Sequence, residues 1–335
     1  MTLCTAKSFK RLTQATVLAT AMTLAGYAHS ATTLKLGWTT SDSDVDPYAI
    51  TAHYFAQELE KAAPGQFDVK FFPNHQLGND AEMVQGMQFG TLDAGVITGT
   101  LIGTIVPAFQ LNDLPFLYAN SEQAHKVLDG KAGELMIKEL AKKNVIGLGF
   151  SEAGFRNVIN NIRPIHTPQD LKGIKLRVQP SDMFLDSFRD LGANPAPMPW
   201  SDTFTAVQQG TVDGLEIPLA VIYANKYPEV TKYLSLTRHS YNALGLLISE
   251  KTWGKLSETQ QNTVRAAAKS AITRQRQTVA DNNQSILGKI EAAGMKVNEV
   301  NDVNAFRALV KDVYKKYHDS IGPDIVDAAM SEIQG

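Results

Sequence analysis

Residues 88–94 read QFGTLDA and residues 208–214 read QQGTVDG, so one pattern recurs 120 positions along the chain. Each copy follows a segment with helical spacing of its apolar residues, and its Gly suits the left-handed conformation that ends many helices. The chain then turns into a short apolar run that predicts a strand. Two helix–Gly–strand units predict two similarly built lobes, although two ordinary helix-to-strand corners could also match by chance.

Predicted strands and helices alternate on both sides of these corners. Helical periodicity indicates helices at 47–62 and 80–89, and apolar runs indicate strands at 34–38, 67–72, 94–97, 145–150, 174–178 and 212–217. Strands that alternate with helices are typical of parallel sheets, so the fold class is predicted to be α/β. The length after residue 30 exceeds what one core usually covers, which again favours two lobes.

A long helix is predicted near the carboxyl end. Residues 257–293 contain no Pro and one Gly, Gly288, and they begin with the capping box SETQ. At 1.5 Å per residue such a helix would be about 50 Å long, more than one lobe of this size. We expect it to run along both lobes; two shorter helices broken near Gly288 are the alternative.

The first 30 residues have the order of an export signal. Basic residues precede an uncharged apolar run at 12–26, and AHS at 28–30 fits a small-x-small cleavage site. The run is shorter than the roughly 20 apolar residues that span a bilayer. We predict a signal peptide over residues 1–30, cleaved near Ser30, and a periplasmic mature chain. A retained anchor or a buried N-terminal helix is the alternative.

Cysteine content and charge narrow the class of protein further. The only cysteine, Cys4, lies inside the predicted signal, so the mature chain forms no internal disulfide and relies on its core for stability. Three of the 32 basic and none of the 34 acidic side chains precede residue 31, which leaves a formal charge of −5. This charge argues against nucleic acid or an anionic membrane as partner.

No sequence motif indicates catalysis. Gly-x-Ser-x-Gly, Walker, Gly-x-Gly-x-x-Gly and His-Glu-x-x-His patterns are absent, and the histidines show no metal-ligand spacing. A Ser-His-Asp triad is defined by geometry and stays open. We expect no catalytic residue, no metal and no cofactor. An exported lyase or hydrolase acting on sugar acids is the rival class, and a receptor sensor domain would need a second membrane anchor.

Two arginines lie in or next to predicted strands. Arg177 is flanked by Leu176 and Val178, and Arg156 follows the strand at 145–150 after a Gly-containing turn. A buried charge must be paired, and the planar guanidinium suits a carboxylate. For each arginine, that carboxylate is either part of a solute or an Asp or Glu of the chain.

Residue types found in solute pockets lie where strands end or helices begin. Thr39 and Thr40 follow the first predicted strand and Thr98 follows the third, and open α/β sheets bind ligands at the carboxyl ends of strands. Trp200 precedes Ser201, which is predicted to cap a helix, so its ring could face a cleft. The alternatives are core packing for Trp200 and a satisfied turn for each hydroxyl.

Nine short segments follow one another in a specific order and spacing: FFPN at 71–74, QLG at 76–78, GTLD at 90–93, LPFL at 114–117, GIKLRV at 173–178, GANP at 192–195, PMPW at 197–200, QQGTVDG at 208–214 and NKYPEV at 225–230. With them, the chain resembles the extracytoplasmic solute-binding proteins of tripartite ATP-independent periplasmic (TRAP) transporters, of the DctP type. The resemblance covers essentially all of the chain after residue 30.

The resemblance implies a two-lobed periplasmic-binding-protein fold with a hinge and a long helix shared by both lobes. The expected lobes are 31–153 with about 243–282, and 154–242 with about 283–335. Arg177 would clamp a solute carboxylate and Arg156 would assist. The other expected contacts are Trp200, as an aromatic wall, and four polar residues, Thr39, Thr40, Asn79 and Thr98.

One segment departs from the family pattern. Relatives commonly carry Glu-Asn-Pro where this chain has Glu216-Ile217-Pro218, so Ile217 offers only apolar contact to a solute. Residues 38–44 and 235–241 resemble the branch that binds keto-sugar acids, which adds Tyr241 to the expected site. The predicted function is capture of a keto-sugar acid, uronate or short hydroxy- or dicarboxylic acid by lobe closure. A membrane permease would receive the solute from a monomeric binding protein.

Overall fold

The computed structural model describes residues 31–334, and in that part of the chain nine strands form one continuous sheet. The predicted signal peptide lies outside the described residues. Strand order across the sheet is β2-β1-β3-β8-β4-β7-β5-β6, with β9 paired to β8. The strands are β1 (Thr32–Gly37), β2 (Phe67–Phe72), β3 (Ala94–Thr98), β4 (Val145–Asn160), β5 (Lys175–Val178), β6 (Asn194–Pro197), β7 (Gly214–Pro218), β8 (Tyr233–Ser249) and β9 (Lys296–Glu299).

Helices cover both faces of this sheet. They are α1 (Pro47–Ala62), α2 (Asp80–Phe89), α3 (Gly99–Gly103), α4 (Ser121–Asp129), α5 (Lys131–Ala141), α6 (Asp182–Asp190), α7 (Trp200–Gln208), α8 (Leu219–Ala224), α9 (Glu250–Trp253), α10 (Glu258–Ala292), α11 (Val303–Leu309), α12 (Lys311–Ile321) and α13 (Pro323–Gln334). The predicted α/β class is confirmed. Within residues 31–334, no helix combines the length and the apolar character needed to cross a membrane.

Two long strands join the halves of the sheet. β1 pairs in parallel with β2 and β3, and β5 pairs in parallel with β6 and β7. Between these halves, β4 and β8 pair antiparallel over most of their length, and each is also antiparallel to its outer neighbour. The prediction of parallel sheets is therefore wrong for the centre. Three register shifts along β4 interrupt the pairing where the chain passes from one half to the other, and such bulges bend a strand.

The internal repeat has a structural basis. Gly90 and Gly210 both adopt the left-handed conformation, with φ of 74° and 69°. The carboxylate of Asp93 then accepts the backbone N–H of Lys35 at 3.0 Å, and that of Asp213 accepts the N–H of Lys175 at 2.8 Å. In each copy the Gly turns the chain out of a helix, and the Asp just before the next strand accepts a backbone N–H of a neighbouring strand.

The long helix is continuous through Gly288, as predicted, and its capping box is present at Ser257. α10 packs on α1 in one half of the molecule and on α8 in the other. Gln275, fully buried in its middle, donates to the carbonyl of Glu152 at 2.6 Å and to that of Pro47 at 3.2 Å. These bonds attach the middle of the helix to β4, close to one of the register shifts.

Two buried apolar clusters hold the molecule together. One contains side chains of α1, α8 and α10, and the other contains side chains of α2, α4, α5, α6, α12 and α13. Both clusters take residues from each half of the sheet. The lobe boundaries given above remain a prediction. The last helix, α13, packs on α4 and α5, which that prediction places in the first lobe.

Candidate functional site

A cavity of about 320 Å³ lies between the two halves of the sheet. Its walls include the chain just beyond β1 and β5 and the ends of β3 and β7, the carboxyl ends where α/β sheets bind ligands. Eight of the nine residues predicted for the site line it: Thr39, Thr40, Asn79, Thr98, Arg156, Arg177, Trp200 and Ile217.

Arg177 is a buried cation without a carboxylate partner in the described part of the chain. Its Nε and Nη2 both donate to the backbone carbonyl of Met198, at 3.0 and 2.7 Å. Its side chain is buried, its guanidinium carbon lies 5.9 Å from the ring centre of Trp200, and the residue lines the cavity. Burial lowers the pKa of Arg177 to about 10, so it stays charged at neutral pH. One carbonyl leaves much of this charge uncompensated.

Arg156 has a partner of its own. Its Nε and Nη2 donate to the carboxylate of Glu216, which is fully buried, and Nη2 also donates to the Glu216 backbone carbonyl at 2.6 Å. Burial alone would raise the pKa of Glu216, but the Arg156 guanidinium and the ring of His239 hold it below its usual range. Arg156 also lines the cavity. The intramolecular salt bridge left open by the sequence is therefore present here.

Ile217 and Trp200 supply apolar walls. Ile217 lies on β7, almost fully buried, at the cavity surface. Trp200 is half-buried at the start of α7 and packs on Tyr227 with ring centres 5.8 Å apart. The prediction that Ser201 caps this helix is wrong, because the residue at the cap position is Pro199. The Ser201 hydroxyl instead donates to the carboxylate of Asp202 at 2.8 Å.

The predicted polar residues are held by the chain around them. Thr40 donates to Asp46 at 2.7 Å, and Thr98 donates to the side-chain oxygen of Asn242 at 2.8 Å. Asn79 caps α2, and its side-chain oxygen accepts the backbone N–H of Ser201 at 3.4 Å. These bonds fix the orientation of each group before any ligand is present, which lowers the entropic cost of binding.

The structure does not bring Tyr241 to the cavity. Its hydroxyl donates to Glu152, and its ring lies edge-on to Tyr118 and Phe155 on the far side of the sheet. Successive side chains of a strand point to opposite faces. The cavity is therefore lined by the next residue of β8, Asn242.

Sequence reasoning missed five polar residues of the cavity: Tyr48, Asp80, Thr104, Gln179 and Asn242. Asp80 directly follows the predicted Asn79, which was the available signal. Burial raises the pKa of Asp80 to about 6, although hydrogen bonds from the Thr98 N–H and the Thr39 hydroxyl oppose the shift. Within residues 31–334, no cluster of three or more His, Cys, Asp or Glu side chains could hold a metal ion.

This geometry defines a class of protein: a two-lobed binding protein whose inter-lobe cavity presents a buried cation to a small anion. Comparison with known proteins gives the family. Residues 39–320 match the family described as bacterial extracellular solute-binding protein, family 7. The chain belongs to this family, the solute-binding components of TRAP transporters.

Similar proteins carry solute names. The 2,3-diketo-L-gulonate-binding periplasmic protein of Escherichia coli is 33% identical, covering 91% of this chain and 89% of that one. The sialic acid-binding periplasmic protein of Vibrio cholerae is 30% identical, with 95% and 98% covered. A TRAP solute-binding protein from Polaromonas, solved with D-erythronate, is 35% identical, with a TM-score of 0.86 over 90% of this chain and 98% of that one.

Proposed function

We propose that this protein captures a small sugar acid or related organic acid anion, with the solute carboxylate paired to Arg177. The observation that carries the proposal is the uncompensated charge of Arg177 at the wall of the cavity. A carboxylate can take two parallel hydrogen bonds from a guanidinium, and such charge-assisted bonds are about twice as strong as neutral ones. Arg156 contributes electrostatic potential and shape to the same wall. Its own charge is already paired with the Glu216 carboxylate, so it assists Arg177 rather than clamping the solute itself.

The polar residues of the cavity support a hydroxylated acid as solute. Asn79, Asp80, Thr98 and Asn242 offer side-chain donors and acceptors for hydroxyl groups. Related binding proteins have been solved with galactonate, β-D-galacturonate and succinate. The cavity volume is near the lower end of the range of small-molecule sites, about 300–1,000 Å³. Where the solute meets Ile217, we propose that it carries no hydroxyl.

Lobe closure is the proposed mechanism. The solute shifts an existing equilibrium between open and closed forms, because it contacts both lobes only in the closed one. A membrane permease of the TRAP type then receives the solute from the closed protein in the periplasm. The protein carries out no reaction on it and requires no cofactor.

The test compares each acid with its own amide. Calorimetric titration with galactonate, erythronate, glucuronate and succinate should find at least one ligand, and its primary amide should bind at least ~100-fold more weakly. This factor corresponds to a buried charge-assisted bond of about 3 kcal/mol. The solute recovered after heating should be chemically unchanged. Tight binding of a neutral sugar or a cation, or conversion of the acid, would contradict the proposal.

A further inference from the structure

A group of hydrogen bonds joins the two halves of the molecule at a second, more open pocket, which shares Thr39 and Trp200 with the solute cavity and which we call the mouth of the cleft. The backbone N–H of Ser41 donates to the side-chain oxygen of Asn225 at 3.1 Å, and the Ser41 hydroxyl donates to the carbonyl of Ala224 at 3.2 Å. In the opposite direction, the side-chain nitrogen of Asn225 donates to Asp46 at 3.1 Å. We call these four residues the mouth latch.

The mouth latch lies outside the solute cavity. None of its four residues lines that cavity. Ser41 and Asp46 lie between β1 and α1, in one half of the molecule, whereas Ala224 and Asn225 lie at the end of α8, in the other half. Rotation of one half away from the other would break all three bonds, and substitutions in the latch leave the identity of every residue that lines the cavity unchanged.

Asp46 accepts hydrogen bonds from both sides of the cleft. One carboxylate oxygen accepts the Thr40 hydroxyl and the backbone N–H of Tyr48, at 2.7 and 2.9 Å, and so caps α1. The other oxygen accepts the Asn225 amide at 3.1 Å, with the Ser41 hydroxyl at a longer 3.5 Å. The residue is fully buried, and a buried carboxylate oxygen that loses its donor must be rehydrated or pays a desolvation penalty.

The side chain of Asn225 is also held by a hydrogen bond within its own half of the molecule. Its nitrogen also donates to the carbonyl of Val221 at 3.0 Å, so the amide is held in place by its own helix before it reaches across the cleft. An amide so oriented presents its oxygen to the Ser41 N–H and its nitrogen to Asp46, and a carboxylate in its place would face Asp46 with like charge.

We propose that Asn225 and Asp46 form a latch that stabilises the closed form and sets how long a captured acid stays bound. Asn225 is thus a positioning residue outside the cavity that Arg177 lines. The inference rests on the proposed function, because residence time refers to the bound acid. It adds that two sets of residues contribute to the binding free energy. The residues of the cavity recognise the solute, and the mouth latch stabilises the closed form whatever the solute is.

The experiment is a double-mutant cycle with Asn225→Asp, Asp46→Asn and the pair together, measured by stopped-flow binding of whichever acid the titration identifies. Asn225→Asp sets two carboxylates against each other and should raise koff about 10- to 100-fold, with kon within about threefold of wild type. Asp46→Asn should raise koff less. The double variant restores an amide–carboxylate pair in reverse and should return koff to within about fivefold of wild type.

A second measurement needs no solute. The chain has no cysteine after residue 30, so Lys61→Cys and Lys172→Cys, both at exposed positions, allow two fluorophores to report the distance between the lobes. Asn225→Asp should shift the population toward the longer distance, and the double variant should reverse the shift. Asn304→Asp, which adds the same charge at an exposed position far from the mouth, is the control and should change nothing.

The outcomes separate the two proposals. If wild-type protein binds no acid, the proposed function fails while the distance measurement still tests the latch. An unchanged koff and an unchanged distance in Asn225→Asp, or a double variant no better than the worse single one, would overturn the latch. A changed preference between an acid and its amide would also overturn it, since the mouth would then contribute to recognition.

Discussion

Arg156 and Arg177 are the same side chain, buried to the same extent, on opposite sides of β7 in the same sheet. They differ in what neutralises them. Arg156 lies on the strand beside Glu216 and is permanently paired with it, whereas Arg177 reaches only a backbone carbonyl. Burial and residue type are therefore poor guides to a ligand-binding arginine. The difference lies in the partner, and it is the reason why we propose that Arg177, and not Arg156, pairs with the solute carboxylate.

The largest effect is expected from removing the unpaired arginine. Arg177→Ala should weaken acid binding by more than about 100-fold, because the buried solute carboxylate would lose a partner worth about 3–5 kcal/mol. The empty protein should keep or slightly increase its melting temperature, since no carboxylate of the chain loses its partner. Calorimetry and thermal denaturation of the same sample measure both. If the Arg177→Ala variant unfolds, or binds the acid with normal affinity, the proposed difference between a paired Arg156 and an unpaired Arg177 is contradicted.

The paired arginine should behave in the opposite way. Glu216→Gln leaves the Arg156 charge buried without its carboxylate and should lower the free energy of unfolding by about 3 kcal/mol. Chemical denaturation at pH 7 measures the loss. Glu122→Gln, at a surface position of α4, is the matched control and should stay within about 0.5 kcal/mol of wild type. A stable Glu216→Gln variant that binds acids less well would instead assign both arginines to recognition.

A smaller effect on binding is expected at Ile217, the residue that follows Glu216 on β7. Ile217→Asn should weaken binding of the preferred acid by about 1–3 kcal/mol, because the new buried amide has no partner. An analogue with an additional hydroxyl at that point should bind the variant relatively better than the wild type. Affinities for the two acids and the melting temperature of the empty protein are measured together. Equal losses for both acids with a destabilised empty protein would assign Ile217 to the core alone.

The smallest effect is a pH dependence from Asp80, the carboxyl group in the same cavity as Arg177. Its pKa is raised to about 6 by burial, and a bound anion nearby raises it further, so the complex holds more protons than the free protein around pH 6. Affinity should therefore fall as pH rises from 5 to 8, by at most about tenfold, one pKa unit being 1.36 kcal/mol. Asp80→Asn should flatten the profile. A profile that rises with pH would contradict this sign.

The sequence predicted the parts of the fold that local patterns specify. The long helix was visible because Ser257 begins a capping box and no Pro follows, and the two Gly corners were visible as a repeat. β8 was not predicted, because polar residues such as His239 and Asn242 interrupt its apolar pattern. They are tolerated there because hydrogen bonds satisfy them inside the molecule, which is information about tertiary structure.

The site was predicted more fully than its electrostatics. Eight of the residues expected from the family resemblance line one cavity. The pairing of Arg156 with Glu216 was not predicted, because it joins side chains 60 positions apart on two antiparallel strands. No local pattern encodes such a register. Tyr241 was misplaced for a related reason: a one-residue error on a strand exchanges the two faces of the sheet.

The position of β8 also constrains the order in which the chain can fold. β8 is a neighbour of both β3 and β4: Gly95 of β3 pairs with Leu247, and β4 pairs with the same strand from Val145 onward. A chain that ends before β8 leaves β3 paired only with β1 and β4 paired only with β7, and open edges of this kind favour aggregation. Contacts this distant in sequence are formed slowly. The continuous sheet therefore cannot be complete before β8, which ends at Ser249, has emerged.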